Sequence, residues 1–213
     1  MIIHNMEQGS PEWDAIRVDH PFSASKAQAI QAQGKGLDTL IIEKLAAKYS
    51  TGEKQRFISS DMEHGTLMEP YARDMYQTVT GIEVEEVGFV TNAAISPMAG
   101  VSPDGLSVDV SLDLCHEFKC PSDNTYFQML MHYSKTGEVD IQSGYMWQMQ
   151  MQMLFTGRSQ AHFAAFNHNF EKMPILITEV TADPVKQAKI TSGLATAIYK
   201  YELAEDAYRK LVN

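Results

Sequence analysis

Ser102-Pro103-Asp104-Gly105 is followed by Glu117-Phe118-Lys119. Glu117 and Lys119 stand two apart in a stretch that reads as a strand, so both side chains leave the same face. Asp104 begins the hairpin that returns to that strand, which lets its carboxylate converge with them. Two carboxylates and a lysine in one pocket suit a hard divalent cation and a group that positions or activates water. Magnesium prefers oxygen ligands and keeps several waters, so two carboxylates and a backbone carbonyl suffice, and the Phe118 carbonyl is the candidate third ligand. Such an ion polarises a phosphoryl oxygen and generates hydroxide. The same residues also read as a turn pair, Asp104-Gly105, and as an ion pair of Glu117 with Lys119 on a solvated strand. The short motif does not separate the two readings.

The elements that must position these groups alternate between helix and strand. Ser10 is a good N-cap, and Pro11 suits the first position of a helix that carries Trp13, Ile16 and Arg17. Ser23 or Ser25 caps a short helix through Ile30. Leu37, Leu40, Ile41, Leu45 and Tyr49 keep an i, i+3, i+4 rhythm, which predicts a helix over 37–49 closed by Gly52. A helical stretch over 61–80 contains Pro70, expected to kink or restart it, and Gly81 ends it. Val84 to Val90, 98–101, 106–110 and 112–119 read as strands, the last three as an antiparallel meander, with Ser102 to Gly105 as a turn. Residues 125–133 and 143–155 have helical apolar density. Within 146–153, Met149, Met151 and Met153 alternate with Gln150 and Gln152 as a strand would, but the length favours a helix. Strands over 161–166 and 175–180 follow, then a C-terminal helix started by Asp183-Pro184. The expected fold is one α/β domain over 1–213, a central mixed sheet with helices on both faces and the carboxylates at one strand end.

The 213 residues include 17 basic and 27 acidic side chains, 44% apolar residues and two cysteines. That composition excludes a disordered tail protein and a collagen-like fibre. No run of about 18 apolar residues exists to span a bilayer. Met1 to Gln8 lacks the basic and apolar pattern of a signal peptide, so the cytoplasm is the expected compartment. Cys115 and Cys120 have opposite strand parity and are not expected to bond. The first sixty residues balance seven basic against seven acidic side chains, and the whole net charge of −10 lies in 61–213. Proteins that coat nucleic acid non-specifically carry a basic excess. A nucleic-acid partner of this chain must be gripped locally.

In order along the chain stand Gln8-Gly9-Ser10-Pro11-Glu12-Trp13 with Arg17, then Phe22-Ser23-Ala24-Ser25. Gly65 with Met68-Glu69-Pro70-Tyr71-Ala72-Arg73 follows, then Ser102-Pro103-Asp104-Gly105, Glu117-Phe118-Lys119-Cys120-Pro121 and Tyr145-Met146-Trp147-Gln148. Together these segments resemble the lambda exonuclease, or YqaJ-like, viral recombinase family of the PD-(D/E)xK nuclease superfamily. The resemblance implies a restriction-endonuclease-like core and a magnesium-dependent exonuclease that resects the 5′ strand of linear double-stranded DNA. The 3′ overhangs would feed a single-strand annealing protein in recombination. It implies two Mg2+ per active site, with Mn2+ as a substitute, held by Asp104, Glu117, the Phe118 carbonyl and Glu69. Lys119 would position the nucleophilic water, Gln148 would support the site from a neighbouring helix, and Arg17, Ser25 and Ser102 would hold the 5′-phosphate. A ring-shaped homotrimer and, for a phage gene product, the bacterial host cytoplasm complete the expectation.

Each of these residues has a plainer reading. Glu69 and Arg73 are four apart, the spacing of an ordinary helix-surface ion pair. Arg17 is a solvent-facing helix residue by default, and Gln148 an exposed one. The methionines read as core or subunit contact. No histidine shows metal-ligand spacing, and strand alternation turns His116 away from Glu117. Two further functions compete: an endonuclease or resolvase on the same core, which needs no pocket for a terminal phosphate, and a non-catalytic DNA-interaction module, against which the intact Asp104, Glu117 and Lys119 argue.

Overall fold

Ser10 starts the first helix, α1 (Pro11–Asp19), as its type suggests: its hydroxyl accepts the Trp13 N–H at 3.2 Å. In the computed structural model, which describes residues 1–52 and 60–212, α1 follows strand β1 (Ile2–His4). Lys54 and Arg56, two of the basic residues counted above, lie outside the described residues. Strand β2 (Phe22–Ser23) leads through a short 3-10 turn, Ala24–Lys26, into α2 (Ala27–Ala32). Neither Ser23 nor Ser25 caps α2; their hydroxyls lie 3.2 Å from each other instead. Helix α3 (Lys35–Tyr49) buries Leu37, Leu40, Ile41 and Leu45. Gly52 does not close it, because the chain turns extended already at Ser50.

Helix α4 (Ser60–Thr80) runs through Pro70 as a single element, so the helix is not restarted there. A proline inside a helix costs about 3 kcal/mol. Burial offsets it here: Ala72 and Tyr76, two and six residues on, are fully buried against Phe118, Ala164 and Phe166. Gly81, with φ of 71°, ends the helix as expected.

The strands form two sheets, and this corrects the meander. Strands β4 (Phe89–Thr91) and β5 (Ala99–Val101) join β1 and β2 in a four-stranded sheet of order β1-β4-β5-β2. Strands β3 (Val84–Glu85), β6 (Gly105–Ser107), β7 (Leu114–Lys119), β8 (Gln160–Phe166) and β9 (Ile175–Thr181) form the second, in the order β3-β6-β7-β8-β9. Only β7 and β8 pair in parallel within it, so the sheet is mixed, as expected. The chain passes from one sheet to the other at 86–88 and back at 102–104. Proline is poorly suited to a central ladder, and Pro103 marks the return. The predicted strand over 106–110 stops at Ser107, and Val110–Leu112 winds as a 3-10 turn. There the Asp109 carboxylate accepts from the backbone and hydroxyl of Ser111, a local bond that competes with ladder pairing.

Helices flank the mixed sheet on both sides. Helix α4 packs on the face that carries His116 and Phe118. The opposite face, with Cys115 and Glu117, meets α6 (Ser143–Thr156), beyond which lie α2, α3 and α7 (Pro184–Val212). Helix α5 (Asp123–Thr136) follows β7 directly. The ambiguous Met/Gln stretch is helical, and its buried glutamines each have a specific task. Gln150 donates to the Thr181 carbonyl and accepts from the Asp183 N–H, both at 2.8 Å. Asp183 caps α7 as its sequence predicts, accepting from the Val185 and Lys186 N–H groups. Among the described residues no helix is long and apolar enough to cross a membrane.

Candidate active site

Strand parity places Glu117 and Lys119 on one face of β7, and their side chains pair directly. Asp104 reaches the same point from the return crossing: its Oδ2 accepts the Phe118 N–H at 2.7 Å and lies 3.9 Å from the Lys119 ammonium. Lys119 also donates to the Phe118 carbonyl at 3.0 Å. The two carboxylates, the carbonyl and the ammonium read from the motif therefore converge in space.

Glu117 is fully buried, and a buried carboxylate must be paired and hydrogen-bonded. Helix α6 supplies that. Gln148 donates to Oε1 and Gln152 to Oε2, each at 2.6 Å. The sequence points to Gln148 at the site but not to Gln152. Its signal was available: 148 and 152 are four apart, hence on one helical face. The Gln152 amide oxygen is buried without a partner.

Burial raises the Asp104 pKa well above the usual carboxylate range, Glu117 adds to the rise, and Lys119 opposes it. Burial works against the charged form of Lys119 too, but Glu117 and Asp104 overcome it and hold its pKa above the ordinary lysine value. Lys119 is thus an ammonium at neutral pH, a donor rather than a base. Among the described residues no three acidic, histidine or cysteine side chains cluster closely enough to enclose an ion. The donors that do converge, Asp104, Glu117 and the Phe118 carbonyl, are all oxygen, which fits a hard divalent cation that keeps its waters.

Glu69 stands on α4 beside this group. Burial raises its pKa, and Arg73 and Lys119 hold it down. Its Oε1 lies 3.3 Å from Arg73 Nη2. His116 faces the other side of β7, as parity predicts, bonded to the Ser107 hydroxyl at 3.0 Å. Cys115 and Cys120 are both free thiols.

The proposed phosphate residues divide. Arg17 lies over the Trp13 ring, 3.8 Å from its centroid. The Trp13 indole N–H donates to the Ser102 hydroxyl at 2.9 Å and the Gly88 carbonyl at 3.2 Å. Ser102 donates its own hydroxyl to Gly88 at 2.8 Å, so Arg17 and Ser102 share a neighbourhood built on Trp13. Ser25 is exposed on the 3-10 turn beside Lys26. Lys44 on α3 has a pKa lowered by burial and then by Arg17 and Lys26, so these three cations stand near one another. A cleft of about 840 Å³ opens beside Lys119, lined by His64, Ser122, Asn124, Gln128 and Tyr145.

The two crossings run side by side and are fastened together. Gln8 donates to the Val87 carbonyl at 2.9 Å and the Pro103 carbonyl at 3.1 Å. Gly88 allows the contact, since a Cβ there would overlap the Met6 carbonyl. The N-terminal motif thus braces the segment that carries Asp104.

A family model described as the YqaJ-like viral recombinase domain matches residues 12–159. The structure is similar to that of an alkaline exonuclease, LHK-Exo, from Laribacter hongkongensis. The TM-score is 0.73 at 27% identity, covering 95% of this chain and 100% of that one. The complex of LHK-Exo with dAMP matches at 28% identity with the same TM-score and coverage. A phage-related exonuclease from Haemophilus somnus 129PT shares the fold, with a TM-score of 0.67 at 15% identity over 88% of this chain and 96% of that one. No curated protein matches the chain.

Proposed function

Because the chain belongs to the YqaJ-like viral recombinase family, we propose that it is a divalent-metal exonuclease that resects linear double-stranded DNA from 5′ ends. The observation that carries this reading is the meeting of Asp104, Glu117, the Phe118 carbonyl and Lys119 beside an open cleft. Asp104, Glu117 and the Phe118 carbonyl would hold magnesium, or manganese in its place, with Glu69 completing a two-ion site. The bound metal supplies Lewis-acid polarisation of the phosphoryl group and a water of lowered pKa.

The chain's own residues do the rest. Gln148 and Gln152 fix the Glu117 carboxylate in one orientation. Lys119, kept protonated by its carboxylate neighbours, orients the attacking water and offsets charge that develops on the phosphate. Arg17 suits a terminal phosphate, because a guanidinium gives paired charge-assisted hydrogen bonds. Ser25 adds a hydroxyl donor, and Ser102 serves the same pocket by holding Trp13 under Arg17. The overhangs would be taken up by a single-strand annealing protein, and three copies of the chain would close a ring around the duplex.

The test compares linear duplexes bearing 5′-phosphate or 5′-hydroxyl ends with closed circular DNA, in magnesium and in chelator. Digestion only of linear DNA, only with metal and faster from phosphorylated ends is expected. Cutting of closed circles would favour an endonuclease, and binding without cutting would favour a non-catalytic module.

A further inference from the structure

Arg73 reaches three acceptors on three separate segments. Its Nη1 lies 2.9 Å from Oε2 of Glu86, and its Nη2 lies 3.3 Å from Oε1 of Glu69 and 3.4 Å from the Asp104 carbonyl. Glu69 is on its own helix. Glu86 and Asp104 stand at the two places where the chain crosses between the sheets. The guanidinium is therefore more than a helix-surface partner, and only 14% of its side chain is exposed.

We propose that Arg73 is a positioning residue for the metal site, which it serves by holding Glu69 against the Asp104 segment. The inference rests on the reading above that Glu69 is a metal ligand. Arg73 takes one oxygen of that carboxylate, Oε1, and among the described residues Oε2 has no hydrogen-bond donor, so one oxygen is anchored while the other is available to an ion. The same Nη2 touches the Asp104 backbone, which sets the separation of the two carboxylate-bearing segments. Glu86 anchors the opposite side of the fork. Arg73 Nε is buried without a partner, so the guanidinium's placement follows what its two Nη groups reach. Lysine could not replace it, since one ammonium cannot serve three acceptors in a planar fork.

The experiment is a calorimetric Mn2+ titration of the DNA-free protein, run as a double-mutant cycle. Glu69→Gln should weaken Mn2+ binding. Arg73→Met should weaken it about tenfold or more, the usual effect of removing a residue that orients a ligand. On the Glu69→Gln background, Arg73→Met should cost clearly less affinity than in the parent, because its hold on Glu69 is already gone and only its contact with the Asp104 carbonyl remains to be lost. Arg73→Lys should not restore parental affinity. If Arg73→Met compromises folding, as thermal unfolding would show, Glu86→Gln tests the same anchor. It should weaken Mn2+ binding in the parent and clearly less in Glu69→Gln. Equal losses on both backgrounds, tighter binding in Arg73→Met, or full recovery by lysine would overturn the inference while leaving the proposed function standing. Parental affinity in Glu69→Gln would overturn it together with Glu69's place in the proposed site.

Discussion

The Gln152 amide nitrogen lies 2.6 Å from Oε2 of Glu117, in a part of the core where neither side chain meets solvent. Glu117 is consequently held at both oxygens before any substrate arrives, and the helix that holds it belongs to the hydrophobic core. Site geometry and core stability are coupled through this one pair.

Gln152→Leu should therefore do two things. Stability should fall by about 1–3 kcal/mol, the usual result of leaving a buried acceptor short of its donor. Magnesium affinity should fall about tenfold as the carboxylate loses its fixed orientation. Gln148→Leu should affect stability less, because Gln148 is only half-buried. Urea unfolding and calorimetry read the two effects, and an unchanged affinity in Gln152→Leu would remove it from the site.

Lys119→Ala should lower turnover by at least about 10²-fold, the scale of losing one donor placed where charge develops, while metal and DNA binding persist. Asp104→Ala and Glu117→Ala should lose metal binding as well. Magnesium titration separates these classes, and parental cutting by Lys119→Ala would refute its role.

The Asp104 carboxyl carries a raised pKa, so the folded protein holds that proton more tightly than the unfolded chain. Its contribution then favours folding at low pH and is lost as pH rises above the ordinary carboxylate range. At neutral pH, metal-free Asp104→Asn should accordingly unfold at higher denaturant than the metal-free parent. Magnesium should raise the melting temperature of the parent and not of this variant.

Burial lowers the His116 pKa to about 3, with His162 and Arg73 adding to it. Between the ordinary histidine value and about 3, the unfolded chain binds a proton that the folded one does not, so stability falls as pH drops through that window. His116→Gln should flatten that part of the stability–pH curve, measured by urea midpoints from pH 7 to 4. An unchanged slope would place the acid sensitivity elsewhere.

Arg17→Ala should slow digestion of 5′-phosphorylated ends far more than of 5′-hydroxyl ends. Equal slowing would assign Arg17 to general backbone contact. Light scattering should give a mass near three times 23.8 kDa if, as proposed, a chain with net charge −10 stays on DNA by enclosure rather than attraction. A stable monomer that digests long duplexes processively would exclude the ring.

Much of this site was legible because it obeys local rules. Two-residue parity on one strand joined Glu117 to Lys119 and turned His116 away, while Ser10 and Asp183 cap their helices as their types dictate. What escaped depends on partners distant in sequence. Nothing near Pro70 announces that Tyr76 will be buried against Phe166 and keep the helix whole. Likewise, strands close in sequence at 98–101 and 106–110 gave no sign that Ser102 to Asp104 would carry the chain between sheets. Gln152 was hidden by an alternation with methionine that mimics a strand.

The paired crossings at 86–88 and 102–104 limit how the gene can vary in length. One residue inserted into either would slide one run past the other, breaking the Gln8 bonds to Val87 and Pro103 and the Arg73 bonds to Glu86 and Asp104. Related sequences should therefore hold these two short segments at constant length even where Val87 and Pro103, which contribute only backbone carbonyls to these bonds, have changed, and a gap falling there should mark a copy whose site no longer assembles.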